Sequence, residues 1–219
     1  MISAYKKIDI DKLELFETAK TLKKEGFIDA NAALLELEAA SVLYHPGWIM
    51  RILLFITGYI GLSGVTGMAL LMLQDLPEDA WKTMLIIVGG IGVLINELLL
   101  VRGLQHFKSG LTEVVLYNSV GMIAGGFVLN FQHSEVLAAL FVVLTCLLAA
   151  IRYLDKTTTM AAAVAFAFFL FFLFFKIGGV AEKMIPFVIV IAFGAWYFIS
   201  VNLEKREKFA LWLDQIHVL

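Results

Sequence analysis

The 219-residue chain is 61% hydrophobic and only 16% charged, with a mean hydropathy of +0.88. An ordinary soluble domain is about 45–50% apolar and about 25% charged, so a soluble globular fold is excluded and lipid must solvate part of this surface. The net charge of −2 gives no electrostatic basis for nucleic-acid binding, and the single cysteine, Cys146, excludes an internal disulfide and a multi-cysteine metal site.

Residues 1–47 read as a cytosolic helical hairpin. Asp11 and Glu14 have the spacing of a capping box, and Leu15, Ala19 and Leu22 follow at helical intervals. Lys23, Lys24 and Gly26 end that helix, cations near the negative dipole end and glycine just past it. A second helix is expected after Asp29, carrying Leu35, Ala39 and Leu43. His45-Pro46-Gly47-Trp48 then breaks the helix and sets a tryptophan at the membrane interface. The first long apolar stretch begins near residue 49, so no cleaved signal peptide is expected.

Residues 48–202 form the expected membrane domain, an all-α bundle of six spans at about 50–73, 83–101, 111–131, 135–153, 158–176 and 184–202. Each approaches the ~20 residues needed to cross ~30 Å of hydrocarbon at 1.5 Å per residue. Pro77 falls in a loop and Pro186 in the first turn of the sixth segment, where a missing amide costs little. Placing the N-terminus inside assigns fourteen of the 17 Lys and Arg residues to the cytosolic side, leaving Lys82, Lys176 and Lys183 outside. The positive-inside rule therefore predicts both ends in the cytosol. Residues 203–219 read as an amphipathic cytosolic tail, with Phe209, Trp212, Leu213 and Ile216 on one face.

Small residues mark the faces expected to pack. These are Gly58, Gly61, Gly64 and Gly67 in the first span, Gly89 and Gly92 in the second, and Gly121 and Gly125 in the third. Lipid gives apolar helices no drive to associate, and close backbone approach at small residues supplies it. The first three spans are thus expected to form a tight centre. The fifth carries Phe166, Phe168, Phe169, Phe171, Phe172, Phe174 and Phe175 all round and is expected to face lipid.

The intramembrane polar residues are the only chemical lead. Asn96 and Glu97 lie near the cytosolic end of the second span, Glu113 and Asn118 near the start of the third, and the loop between them brings Arg102, His106 and Lys108. A carboxylate in or near hydrocarbon is costly. It either carries a proton or cation along a polar path, or forms an ion pair with Arg51, Arg102 or Lys108 that pins the hairpin at the interface. His106 and His133 fall on opposite sides of the predicted membrane and cannot share a metal. No glycine loop for nucleotides appears, and no cofactor is expected.

Gly61-Leu62-Ser63-Gly64 resembles the glycine–x–serine–glycine of rhomboid intramembrane proteases, and that resemblance implies a serine nucleophile paired with a histidine in a later membrane helix. All four histidines, His45, His106, His133 and His217, fall instead in predicted loops or tails, so the nucleophile has no base. The segment Leu22-Lys23-Lys24-Glu25-Gly26-Phe27-Ile28-Asp29, with Arg102 and Phe107 after the second span, resembles the layout of uncharacterised bacterial multi-pass membrane proteins. That resemblance implies the bacterial inner membrane and transfers no site. The expected function is a non-enzymatic membrane subunit or scaffold, with lipid and a protein partner or a second copy as its contacts. The alternative is a small transporter or channel with a polar path near Glu97 and Glu113.

Overall fold

The computed structural model of the chain describes residues 4–5, 7–27, 43–73 and 77–204. The elements are α1 (Lys7–Lys24), α2 (Trp48–Leu73), α3 (Glu78–Ile95), a π-helical segment (Asn96–Gly103) that continues α3, α4 (Leu111–Asn130), α5 (Glu135–Tyr153), α6 (Lys156–Ile177) and α7 (Val180–Glu204). No strand occurs among the described residues; the only extended pairing there is an isolated bridge between Tyr44 and His106. The predicted second N-terminal helix and the amphipathic tail lie outside the described residues.

Among the described residues, five helices are long and apolar enough to cross a membrane: Trp48–Ala69, Asp79–Gly103, Leu111–Asn130, Glu135–Tyr153 and Lys156–Ile177. This is the profile of an integral membrane protein built as a helical bundle. The sixth predicted span is helical over Val180–Glu204, and its apolar stretch among the described residues, Lys183–Ala195, is shorter.

Two local expectations are corrected. α1 starts at Lys7, with Asp9 in its first turn, so Asp11 lies inside the helix and caps nothing. The carboxylate of Asp9 already meets the positive end of the dipole, which removes the need for a later start. Pro186 lies inside α7 and not in its first turn, because the chain re-enters helix directly after Gly178 and Gly179, both at positive φ. The missing Pro186 amide leaves one helical carbonyl unserved, a defect that membrane helices tolerate. The end of α1 follows expectation. Gly26 sits at φ 82°, its amide bonds the Lys23 carbonyl, and the Phe27 amide reaches Leu22, which closes the helix in a Schellman turn.

The described residues form two compact units. One takes the described residues up to Met68 together with Val93–Leu116; the other takes Ala69–Gly92 and the described residues from Tyr117 onward. In the first, Tyr5, Ile10, Leu13, Leu43, Leu100, Val101, Phe107 and Val114 are buried, and the Tyr5 ring meets Phe107 edge-on at 4.8 Å. In the second, α5 and α6 pack as a hairpin on alanines: Ala138, Ala139, Ala149 and Ala150 face Ala162 and Ala165, all buried. Small side chains bring the two backbones close, which is how apolar helices gain dispersion contact in lipid.

The tight centre expected of the first three spans is only partly present. Gly58 meets Leu111 and Val114 of α4. Gly89 and Gly92 lie against Ser119, and a Cβ on Gly89 would stand 2.7 Å from the Ser119 carbonyl oxygen. Gly126 approaches the Lys82 carbonyl as closely as 3.2 Å on the same count. Gly61, Gly64, Gly67, Gly121 and Gly125 face open space among the described residues, and the membrane window of α2 contains no buried residue. α3 and α4 supply this close contact, and α2 meets the start of α4 at Gly58. A glycine surface permits close approach without compelling it. The aromatic helix behaves as expected, with Phe168, Phe171 and Phe175 exposed.

Candidate functional site

The polar residues of the first unit gather around the seven-residue loop 104–110. The loop departs from regular helix in two steps. At Asn96 the α-helical bonding of α3 widens into π-helical turns, and the last of these bonds joins the Leu104 amide to the Leu99 carbonyl at 2.8 Å. The chain then turns through Gln105, Lys108 and Gly110, all at positive φ. Gly110 is required on two counts. Its φ of 88° is costly for any residue with a Cβ, and a Cβ there would collide with the carbonyl of Arg51.

The N-terminal segment clasps this loop. The Tyr44 amide donates to the Gln105 carbonyl at 2.9 Å and the Phe107 amide to the Tyr44 carbonyl at 3.0 Å. The Tyr5 hydroxyl donates to the His106 carbonyl at 3.3 Å, and His45 Nδ1 lies 3.0 Å from the Phe107 carbonyl. A hairpin too short to bury a core alone is expected to lean on the membrane domain or on a partner, but these particular contacts leave no sign in the sequence. Tyr5, Tyr44 and His45 carried no periodic signal, and their partners lie about 60 to 100 residues away.

Each candidate carboxylate has its own arginine. Arg51 grips Glu113 with a fork, Nε to Oε2 at 3.0 Å and a second, shorter bond from its terminal nitrogen to Oε1. The Gly110 amide also donates to Glu113 Oε2 at 3.0 Å, so the carboxylate is buried, doubly paired and tied to the start of α4. Glu97 bonds Arg102 at 2.5 Å. That pair is five residues apart. In an α-helix five residues advance about 500°, which puts the two side chains on different sides; π-helical turns bring them back together. The ion pair and the π geometry therefore support each other.

Three polar groups complete the region. Ser109 is fully buried; its Oγ lies 3.0 Å from His106 Nδ1 and 3.5 Å from the Thr112 amide. A serine beside a histidine has the composition of a nucleophilic pair; here the hydroxyl is fully buried and caps the start of α4. Burial also holds the His106 imidazole below its ordinary pKa, so at neutral pH it is uncharged. Asn96, at the first π-helical residue, is completely buried, and neither atom of its amide finds a hydrogen-bond partner among the described residues. Ser63 of the rhomboid-like tetrad is exposed on α2 and has no histidine partner among the described residues.

The predicted polar residues are divided between the two units. Asn96, Glu97, Arg102, His106 and Glu113 fall in the first unit, where the two carboxylates belong to separate pairs. Asn118 falls in the second and turns its amide toward the Met122 sulfur at 3.6 Å. A second capped turn there escaped sequence reasoning. Asp155 is buried between α5 and α6, accepts the Thr158 amide at 2.7 Å and receives the Tyr117 hydroxyl at 2.9 Å. The signal for it was present: Asp155-Lys156-Thr157-Thr158 ahead of an apolar run is the pattern of an N-cap.

No group of His, Cys, Asp and Glu among the described residues has the geometry to hold a metal ion. No family model, no curated protein and no solved structure matches the chain.

Proposed function

We propose that the protein is a non-enzymatic subunit or scaffold of a bacterial inner membrane, with six membrane helices and both ends in the cytosol, acting through a protein partner or a second copy. The observation that carries this reading is the pairing of Glu113 with Arg51 and of Glu97 with Arg102. A carboxylate that moves protons or cations must exchange its partner during the cycle, whereas Glu113 is fixed by an arginine fork and a backbone amide. The clasp of Tyr5, Tyr44 and His45 on loop 104–110 gives the cytosolic segment a fixed stance from which to present a partner surface.

The alternative, a small transporter or channel with a polar path near Glu97 and Glu113, draws on one observation: the orphaned amide of Asn96 at the π-helical junction. π-helical insertions are frequent at functional sites, and a buried unsatisfied group calls for a ligand, an ion or a water. Reconstitution separates the two readings. Proteoliposomes loaded with a pH-sensitive dye are expected to leak no faster than empty liposomes under proton or potassium gradients. A flux that the protein supports and Glu97→Gln abolishes overturns the scaffold reading.

A further inference from the structure

The second unit holds a cavity of about 370 Å³ that no part of the proposed function uses. Its size lies in the range of small-molecule sites. Three helices line it. Val128 comes from the end of α4 and Phe131 from the turn just after it, Ala138, Ala139 and Val142 from α5, and Ala165, Phe168 and Phe172 from α6. The wall on the α4 side is stiffened by aromatic stacking: Phe131 lies parallel to Phe141 at 5.2 Å, and Phe127 to Phe141 at 4.7 Å. The floor is the alanine seam of the α5–α6 hairpin, buried at Ala138, Ala139 and Ala165.

One end of this apolar slot is polar. Gln132, in the turn before α5, and Glu135, its first residue, line that end, and both are exposed. Glu135, Ala138, Ala139 and Val142 are offset by three, four and seven residues, which places the carboxylate and the apolar floor on one side of the helix. Seven residues at 1.5 Å rise make a slot about 10 Å long, a large part of the ~15 Å depth of one hydrocarbon leaflet. The Glu135 carboxylate has no hydrogen bond or ion pair among the described residues.

We propose that this slot binds a membrane lipid with a primary-ammonium headgroup, one acyl chain lying along Ala138, Ala139 and Val142 and the ammonium at Glu135 and Gln132. The charge decides the headgroup. A carboxylate at the mouth attracts a cation and disfavours a phosphatidylglycerol headgroup, whose phosphate has no ammonium to offset its charge. A primary ammonium also brings three N–H donors, which the carboxylate and the Gln132 carbonyl accept; a choline head brings the charge without donors. The apolar walls select the chain by burial, at about 0.8 kcal/mol for each methylene. The proposal does not depend on the scaffold reading.

Reconstitution into nanodiscs of phosphatidylethanolamine, phosphatidylglycerol and phosphatidylcholine in equal parts, followed by transfer to mild detergent and native mass spectrometry, tests it. The protein is expected to retain phosphatidylethanolamine at least threefold over each of the other two. Glu135→Gln is expected to remove that preference, and Glu135→Lys to turn it toward phosphatidylglycerol. Both substitutions are at an exposed position, so the fold tolerates them. Equal retention of all three lipids, retention of phosphatidylcholine equal to phosphatidylethanolamine, or a preference that survives Glu135→Gln overturns the proposal.

Discussion

Arg51 and Glu113, 62 residues apart in the chain, close a fork between the first turns of α2 and α4, with Nε 3.0 Å from Oε2. The two partners are unequally solvated: the Arg51 side chain is 41% exposed and that of Glu113 only 10%. Breaking such a pair costs most when it strands the buried member. Arg51→Gln leaves a buried carboxylate with the Gly110 amide alone and is expected to cost about 2–3 kcal/mol, the usual range for a buried pair discounted for the half-exposed arginine. Glu113→Gln leaves a guanidinium that reaches water and keeps a neutral acceptor near Gly110; about 1 kcal/mol is expected. Thermal unfolding of both variants in one detergent measures the order, and a larger loss for Glu113→Gln refutes the assignment of burial.

The Glu97–Arg102 pair makes the π-helical segment chemically testable. In an α-helix of 2.3 Å Cα radius, residues five apart are more than about 8 Å apart between Cα atoms, beyond the reach of a disulfide. In π-helical turns the same pair comes within it. With Cys146 replaced by alanine, the double variant Glu97→Cys with Arg102→Cys is expected to lose both thiols on mild oxidation and to remain monomeric. Two titratable thiols after oxidation mean that the segment is α-helical.

His106 predicts a pH dependence. Burial holds its folded-state pKa below the ordinary 6.5, so the unfolded chain binds the proton first as the pH falls. The stability linked to His106 is complete above about pH 6.5, declines as the pH drops toward the folded pKa, and changes no further below it. Melting temperatures between pH 7.5 and 5 are expected to fall less steeply in His106→Gln than in the parent. Parallel slopes rule out a linked proton at this ring.

Asp155 is expected to be the most sensitive position of the α5–α6 turn. Asp155→Ala removes the cap on Thr158 and the partner of the Tyr117 hydroxyl, with an expected loss of about 2 kcal/mol. Asp155→Asn keeps an acceptor oxygen and is expected to lose less than half of that. Chemical denaturation in mixed micelles gives both numbers, and equal losses mean that the cap contributes nothing of its own.

Most of the helices were legible in the sequence because membrane spans declare themselves by length and hydropathy. The predicted 135–153 span coincides with α5, and 111–131 with α4 to within one residue. What escaped depends on contacts between distant residues or on a change of helical period. The side of the helix on which Glu97 falls depends on the helical period, and the α-helical period fails from Asn96, where the π-helical turns begin. The choice between Arg51, Arg102 and Lys108 as partners needed coordinates. Glycines were overread: Gly89 and Gly92 are pressed against Ser119, but Gly61, Gly64 and Gly67 meet nothing within 4 Å among the described residues, and a composition signal cannot tell the two sets apart. Asp155 and Ser109 have the residue types of helix N-caps, but each stands in a short polar gap between apolar runs whose hydropathy dominates the sequence signal.

A helix that carries π-helical turns has taken up one residue more than its α-helical counterpart needs. Asn96–Gly103 is therefore a place where the chain holds slack inside a membrane helix. Surrendering that slack turns everything beyond it by roughly one residue's rotation, about 100°. Loop 104–110, with Tyr5 and Tyr44 fastened to it, would be swung like a crank on that shaft.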